Sequence, residues 1–162
     1  MKKILVNLLA CAAILAVCLL CFRADSFLPF ALPAAPALVY WIILMAGMGL
    51  IVAAEAVFLR RGGSTGAPAD PTHRLVTGGI YGWVRNPIYL GGMFVLLGIS
   101  LAGSSPFLFL LACLYPVLLN FTVVRSEEDR MERDFGEAYR EYKHRVPRWI
   151  PRPPKKPPKP SS

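Results

Sequence analysis

The sequence lacks the short motifs that identify most soluble enzyme classes. It has no glycine-rich dinucleotide fingerprint, no nucleophilic serine elbow, no phosphate-binding loop and no cluster of zinc ligands. Only four cysteines are present, and all of them lie in apolar segments at a spacing that fits no metal site. We therefore expect them to pack as small hydrophobic residues, and we expect no metal. Internal repeats and heptads are absent as well.

Long apolar runs dominate what is present, since 55% of the residues are hydrophobic. A helix needs about 20 apolar residues to cross a bilayer. The candidates are residues 4–22, 37–59, 88–102 and 106–124, of which the third is short. The first run continues well past Cys11, which favours an uncleaved helix over a signal peptide. The sequence predicts an all-α, polytopic membrane bundle of about four transmembrane helices, forming one domain over residues 1–150.

Basic residues are distributed asymmetrically around these runs. Lys2 and Lys3 precede the first run, four arginines lie between residues 60 and 87, and almost all the others follow residue 124. By the positive-inside rule, both termini and the 60–87 loop are cytoplasmic, and the 103–105 turn lies on the far side. This arrangement explains the net charge of +8 without a nucleic-acid partner. A small integral protein with two cytoplasmic ends suits a bacterial inner membrane.

The chain after residue 124 changes character. Apolar residues recur at helical spacing among many charged ones, which predicts a cytoplasmic amphipathic helix. Residues 151–162 are rich in proline and lysine and too poor in apolar residues to pack. We therefore predict a disordered tail there.

Two polar blocks flank the apolar hairpin at 88–124. The first, residues 73–89, reads HRLVTGGIYGWVRNPIY; the second begins Arg-Ser-Glu-Glu at 125–128 and continues through Phe-Gly-Glu-Ala-Tyr at 135–139 to Arg-Val-Pro at 145–147. Together they collect aromatic, polar and turn-forming groups, which suits a binding pocket better than a plain anchor. Over residues 73–151, about half the chain, the blocks resemble the signature of the isoprenylcysteine carboxyl methyltransferases and the related phospholipid methyltransferases.

That resemblance implies an integral membrane enzyme that uses S-adenosylmethionine to methylate a lipid or a small lipophilic substrate. The cofactor contacts that it implies are His73, Arg74, Leu75, Val76, Tyr81, Asn86, Pro87, Ile88, Tyr89 and Glu127. Its expected partners are the bilayer and a lipophilic substrate; the oligomeric state cannot be read from it. The sequence departs from the family at two positions. Asn86 replaces a usual histidine, so proton transfer through this position is not expected. The family's substrate-contacting arginine falls on Val123, and we assign its catalytic role to the nearest basic residue, Arg125.

Several of these residues also have structural interpretations. Trp83 and its aromatic neighbours could form an interfacial belt. Arg85 could bind a lipid phosphate or cap helix carbonyls, while Glu127 and Glu128 could cap a helix N-terminus. Glu55, an acid inside the second apolar run, could be functional or simply pair with a nearby arginine.

Two other functions fit parts of the pattern. Sterol reductases, which use NADPH, resemble the same Arg-x-Pro-x-Tyr element but carry many more membrane helices. A membrane protein that keeps the fold without catalysis would not need Tyr81, Tyr89 and Glu127 together. Among methyltransferase substrates, a prenylcysteine carboxylate, a phospholipid amine and a small thiol all remain open.

Overall fold

The computed structural model describes residues 2–62 and 74–154, and in them all regular structure is helical. The helices are α1 (Lys2–Asp25), α2 (Ala37–Gly62), α3 (Pro87–Ala102), α4 (Pro106–Leu119) and α5 (Arg125–Arg145). A 3₁₀ turn, Gly79–Gly82, precedes α3, and a π-helical turn, Asn120–Val124, joins α4 to α5. The four apolar runs are thus confirmed as helical. The first three begin and end within three residues of the predicted bounds, whereas the fourth is α-helical only to Leu119 and π-helical from Asn120 to Val124. Pro87 and Pro106 begin α3 and α4, where a missing N–H costs nothing.

Two helical stretches of the described chain are long and apolar enough to cross a membrane. They are Ala37–Arg60 and the continuous run Pro106–Arg145, and the apolar helix Pro87–Ala102 is shorter. An all-helical fold with candidate membrane spans is therefore confirmed. The connection between α1 and α2 touches the turn between α3 and α4, where Leu32 N donates to Ser104 O at 3.2 Å. These two connections lie at one end of the bundle.

Helices α2 and α3 pack most extensively, and glycine permits their close approach. A Cβ atom on Gly47 would lie 2.7 Å from the carbonyl oxygen of Gly91, and one on Gly98 would lie 2.9 Å from Cβ of Leu44. In lipid, small residues at a helix interface allow backbones to approach and strengthen van der Waals contact. Gly91 and Gly98 therefore lie on the surface of α3 that contacts α2, whereas Gly92 faces Tyr115 of α4.

Helix α4 is interrupted one turn before its end. Pro116 has no N–H to donate to the carbonyl of residue 112, and the π-helical turn follows it. A π turn holds one more residue than the α-helical turn that it replaces. Every side chain after it is therefore rotated by about 100° from its position in an uninterrupted α-helix.

Helix α5 bends at Gly136, whose φ of 52° and ψ of −125° are not helical. Glycine adopts this left-handed backbone without a Cβ clash. The carboxylate of Glu132, before the break, bonds Nε of Arg140 at 3.2 Å and also pairs with Lys143, both after it. An uninterrupted helix would not bring Glu132 and Lys143 together, so α5 bends sharply at Gly136 and its two halves pack against each other.

Residues 146–154, here called the C-terminal strap, return across the loop that precedes α3. Arg85 N donates to Pro147 O at 2.9 Å, and Arg152 N donates to Trp83 O at 3.0 Å. The first residues of the predicted disordered tail, 151–154, therefore make a backbone contact, while residues 155–162 lie outside the described chain. The strap covers one side of the functional region described next.

Candidate active site

A cleft lies at the end of the bundle where α3 begins and α5 starts. The 75–86 segment forms one wall, and the two halves of α5 form another. Its lining residues are Phe58, Leu75, Val76, Tyr81, Arg85, Asn86, Pro87, Ile88, Tyr89, Glu127, Glu128, Arg130, Met131, Tyr139 and Tyr142. The two sequence blocks, distant along the chain, meet in this cleft.

Tyr89 and Glu127 join the two blocks directly. Tyr89 Oη donates to Glu127 Oε2 at 3.0 Å, which links the first turn of α3 to the first turn of α5. Burial raises the pKa of Glu127 above its usual 4.5, while the bond from Tyr89 and the charge of Arg130 act in the opposite direction. A carboxylate in a cleft with a perturbed pKa and a specific partner is typical of a functional site.

Glu128 faces a different set of partners. Its Oε1 accepts from Arg85 Nη1 at 2.7 Å and from Arg148 Nε at 3.0 Å, and its Oε2 accepts from Arg148 Nη2 at 2.5 Å. Arg148 Nη1 also donates to Asn120 Oδ1 at 2.6 Å. This network ties the strap, the α3 entry loop and the π turn together, so it holds the wall of the cleft in place.

Aromatic rings form the apolar part of the cleft. The Tyr81 and Phe58 rings lie 5.6 Å apart between centroids and are tilted by 50°. Tyr142 Oη donates to the backbone oxygen of Tyr81 at 2.8 Å, which links the end of α5 to the 3₁₀ turn. Burial raises the pKa of Tyr81, and the negative charge of Glu55 raises it further. Burial also raises the pKa of Tyr139 to about 12, so this phenol stays neutral at physiological pH.

Most of the cofactor residues implied by the resemblance line this cleft. Those brought together are Leu75, Val76, Tyr81, Asn86, Pro87, Ile88, Tyr89 and Glu127. Arg74 is exposed and does not line it, and His73 lies outside the described residues. The amide of Asn86 donates to Arg148 O at 3.3 Å, so this side chain also holds the strap.

Arg125 does not lie in the cleft either. It is exposed, and its guanidinium carbon stands 4.5 Å above the centroid of the Phe121 ring. Arg125 directly follows the π turn, and residues two positions apart on a helix do not share a face, so Arg125 does not replace an arginine at position 123. A catalytic role for Arg125 therefore stays a prediction.

Sequence reasoning missed several residues that build the site. From the sequence, Arg148 has no assigned role, Arg85 and Glu128 have structural alternatives, and Tyr139 and Tyr142 are not among the predicted cofactor contacts. One signal was available: Asn120 is the one amide side chain in the apolar run 106–124. A strongly polar group in a span usually has a partner, although spacing alone does not identify it.

Comparison with known proteins finds a matching family model and several named relatives. The family model described as phospholipid methyltransferase matches residues 39–138. The chain is 37% identical over 87 residues to a human protein named protein-S-isoprenylcysteine O-methyltransferase, and 36% identical over 87 residues to its mouse counterpart. It is 38% identical over 81 residues to a protein of the same name in Schizosaccharomyces pombe. Each match covers 49% of this chain, but only 28% of the human and mouse proteins and 34% of the yeast protein.

Proposed function

This chain belongs to the phospholipid methyltransferase family, and we propose that it transfers a methyl group from S-adenosylmethionine to a lipophilic, isoprenylcysteine-like acceptor. The observation that carries the proposal is the contact between Tyr89 and Glu127. It joins both family-like blocks in one cleft at the end of the candidate spans. The named relatives support the acceptor class, since each is called an isoprenylcysteine methyltransferase.

The chemistry of the lining residues fits the proposed cofactor. S-adenosylmethionine supplies an electrophilic methyl group on a positively charged sulfur, beside an amino-acid end, a ribose and an adenine ring. Glu127 offers a partly buried carboxylate to the cationic groups. The aromatic faces of Tyr81 and Tyr139 suit a cation or a flat ring, and Leu75 and Ile88 provide apolar contact.

The chain's own task in such a reaction is to position the acceptor and exclude water. Holding two reactants in line removes much of the entropic barrier of a bimolecular step. The strap and the Glu128 network restrain the wall of the cleft, which limits how far it opens. Asn86 supplies no titrating group near neutral pH. We therefore favour an acceptor that attacks as an anion, such as a carboxylate, over an amine that must lose a proton.

The proposal includes a membrane topology. We place α1, α2, α3 and the segment Pro106–Val124 across the bilayer as one integral domain, with both termini and α5 on the cytoplasmic side. The arginines of the 60–87 loop support this orientation. The contact between the α1–α2 connection and the 103–105 turn supports a common far side. A bacterial inner membrane is the location that we favour.

The test is binding and transfer with the full chain in mild detergent. Isothermal titration calorimetry should show binding of S-adenosylmethionine and none of NADPH. A radiolabelled methyl donor should then label a farnesylcysteine analogue that carries a free carboxylate, and not its methyl ester. Binding of NADPH alone would replace the proposal with the reductase interpretation. Cofactor binding without transfer to any lipophilic acceptor would favour a protein that keeps the fold without catalysis.

A further inference from the structure

A second concave surface lies beside the cleft, between the end of α4 and the strap. This lateral groove is lined by Arg85, Pro116, Val117, Asn120, Arg148 and Trp149. Arg85 lines both the groove and the cleft, so the two share one wall. The proposed methyl transfer uses neither the guanidinium of Arg148 nor the indole of Trp149 for contact with cofactor or acceptor.

The groove carries a surplus of positive charge. Arg85 and Arg148 supply two positive charges, and Glu128 supplies one negative charge to both, which leaves a net charge of +1. Asn120 contributes only a neutral amide oxygen. The Nε–H of Arg85 is also buried with no acceptor among the described residues. Because an uncompensated charge is costly at a membrane boundary, this groove suits an anion.

An apolar surface leads away from the charged end. Val117 is exposed, and Leu114 and Leu110 follow it on the same face of α4 at spacings of three and four residues. This exposed face lies within the span proposed for α4. Trp149 stands at the charged end, where indole rings favour the headgroup region of a bilayer. A ligand that matches the groove has an anionic head and a hydrocarbon tail.

We propose that the lateral groove binds an anionic phospholipid. Its phosphate lies against Arg148 and Arg85, and one acyl chain runs along Val117, Leu114 and Leu110. A guanidinium can hold phosphate oxygens through two parallel hydrogen bonds. Basic pockets at the membrane boundary are suited to anionic headgroups. The lipid is a bound component of the protein and not its methyl acceptor, so this site stands independently of the proposed reaction.

Fluorescence quenching tests the proposal without any cofactor. In the full chain carrying Trp41→Phe and Trp83→Phe, Trp149 is the remaining tryptophan. The protein is placed in phosphatidylcholine nanodiscs that contain rising fractions of acyl-brominated phosphatidylglycerol or, in a parallel series, acyl-brominated phosphatidylcholine. Phosphatidylglycerol should quench Trp149 at lower mole fractions than phosphatidylcholine does.

Two pairs of variants locate the binding. Arg148→Gln should weaken the preference for phosphatidylglycerol by about tenfold, because a charge-assisted contact to phosphate is lost. Arg140→Gln makes the same charge change on an exposed part of α5 and should keep the preference. Val117→Phe should block the groove sterically while leaving the Arg148 contacts intact. Leu118→Phe adds similar bulk at a neighbouring exposed position that does not line the groove, so it should have no effect.

Circular dichroism of each variant checks the helical fold. If Arg148→Gln does not fold, the Val117→Phe and Leu118→Phe pair decides the result. The reference protein carries only Trp41→Phe and Trp83→Phe. If both brominated lipids quench Trp149 equally in this reference protein, the proposal is overturned. A preference that survives in both Arg148→Gln and Val117→Phe would place the anionic lipid elsewhere on the protein and would overturn it as well.

Discussion

Replacing Tyr89 by phenylalanine removes one hydroxyl group from the contact that joins the two halves of the candidate site. Without it, the Glu127 carboxylate loses the donor 3.0 Å away that orients it. A hydrogen bond to a charged group contributes roughly 1.5–3 kcal/mol, and partial burial of this pair favours the lower part of that range. We expect affinity for S-adenosylmethionine to fall by about 1.5–2 kcal/mol, which is about 13- to 30-fold in Kd.

Calorimetric titration of the purified variants measures this loss. Tyr115→Phe is the matched control, because Tyr115 is a partly buried tyrosine of α4 that does not line the cleft. A double-mutant cycle of Tyr89→Phe and Glu127→Gln separates their coupling from other effects of each change. If the two losses simply add, or if Tyr115→Phe weakens binding as much as Tyr89→Phe, the orienting role of Tyr89 is refuted.

The same substitution should change the pH dependence of binding. Burial raises the pKa of Glu127 above 4.5, and the Tyr89 bond acts against that rise. Removing the bond therefore raises the Glu127 pKa further. Because the ionised carboxylate is the form that attracts a cationic cofactor, affinity should fall on acidification, and the fall should begin at higher pH in Tyr89→Phe. Identical pH profiles for the two proteins would contradict this account.

Three further predictions test other parts of the molecule. Arg125→Ala should lower turnover of an anionic acceptor while sparing cofactor affinity in calorimetry; equal loss of both would end its substrate role. Gly91→Ala should destabilise the protein by about 1–3 kcal/mol through overpacking, because the new Cβ would lie 2.7 Å from a side-chain atom of α2. The control is Gly49→Ala, whose Cβ would meet nothing within 4 Å. Thermal unfolding in detergent compares the two variants, and equal melting temperatures would contradict the packing argument. Reporter fusions after residue 66 and at the C-terminus should read cytoplasmic, and one at 103–105 external; an external C-terminus would overturn the proposed topology.

The helices could be predicted because their causes are local in sequence. An apolar run of sufficient length must satisfy its own backbone in lipid, and the prolines at 87 and 106 begin α3 and α4. Much of the candidate cleft could be predicted too, although for a different reason. Residues such as Tyr81 and Tyr89 were predicted because the two sequence blocks resemble a family signature. The fold brings the two blocks together in one cleft.

The charged network could not be predicted, because it depends on where the chain turns. Gly136 bends α5 sharply, so ion pairs form between residues that helical periodicity would keep apart. The partner of Asn120 is Arg148, 28 positions later in an extended strap, and no periodic pattern joins them. Helical spacing predicts contacts within one regular helix. The Glu132–Lys143 and Asn120–Arg148 contacts join separate elements of the fold, so spacing does not predict them.

Arg125 shows the limit of assigning a role by nearness in sequence. Its proposed role assumed that a residue two positions after Val123 could reach the same surface. Residues two positions apart on an α-helix lie about 200° apart, and the π-helical turn Asn120–Val124 changes this angle again. In the structure Arg125 is exposed over Phe121, while Arg85 and Arg148 are the guanidinium groups that bond Glu128 beside the cleft. Arg148 belongs to the C-terminal strap, so the positive charge beside the cleft depends on the path of the chain after α5. An alignment of the α4–α5 segment alone does not include Arg148 and could not have predicted this charge.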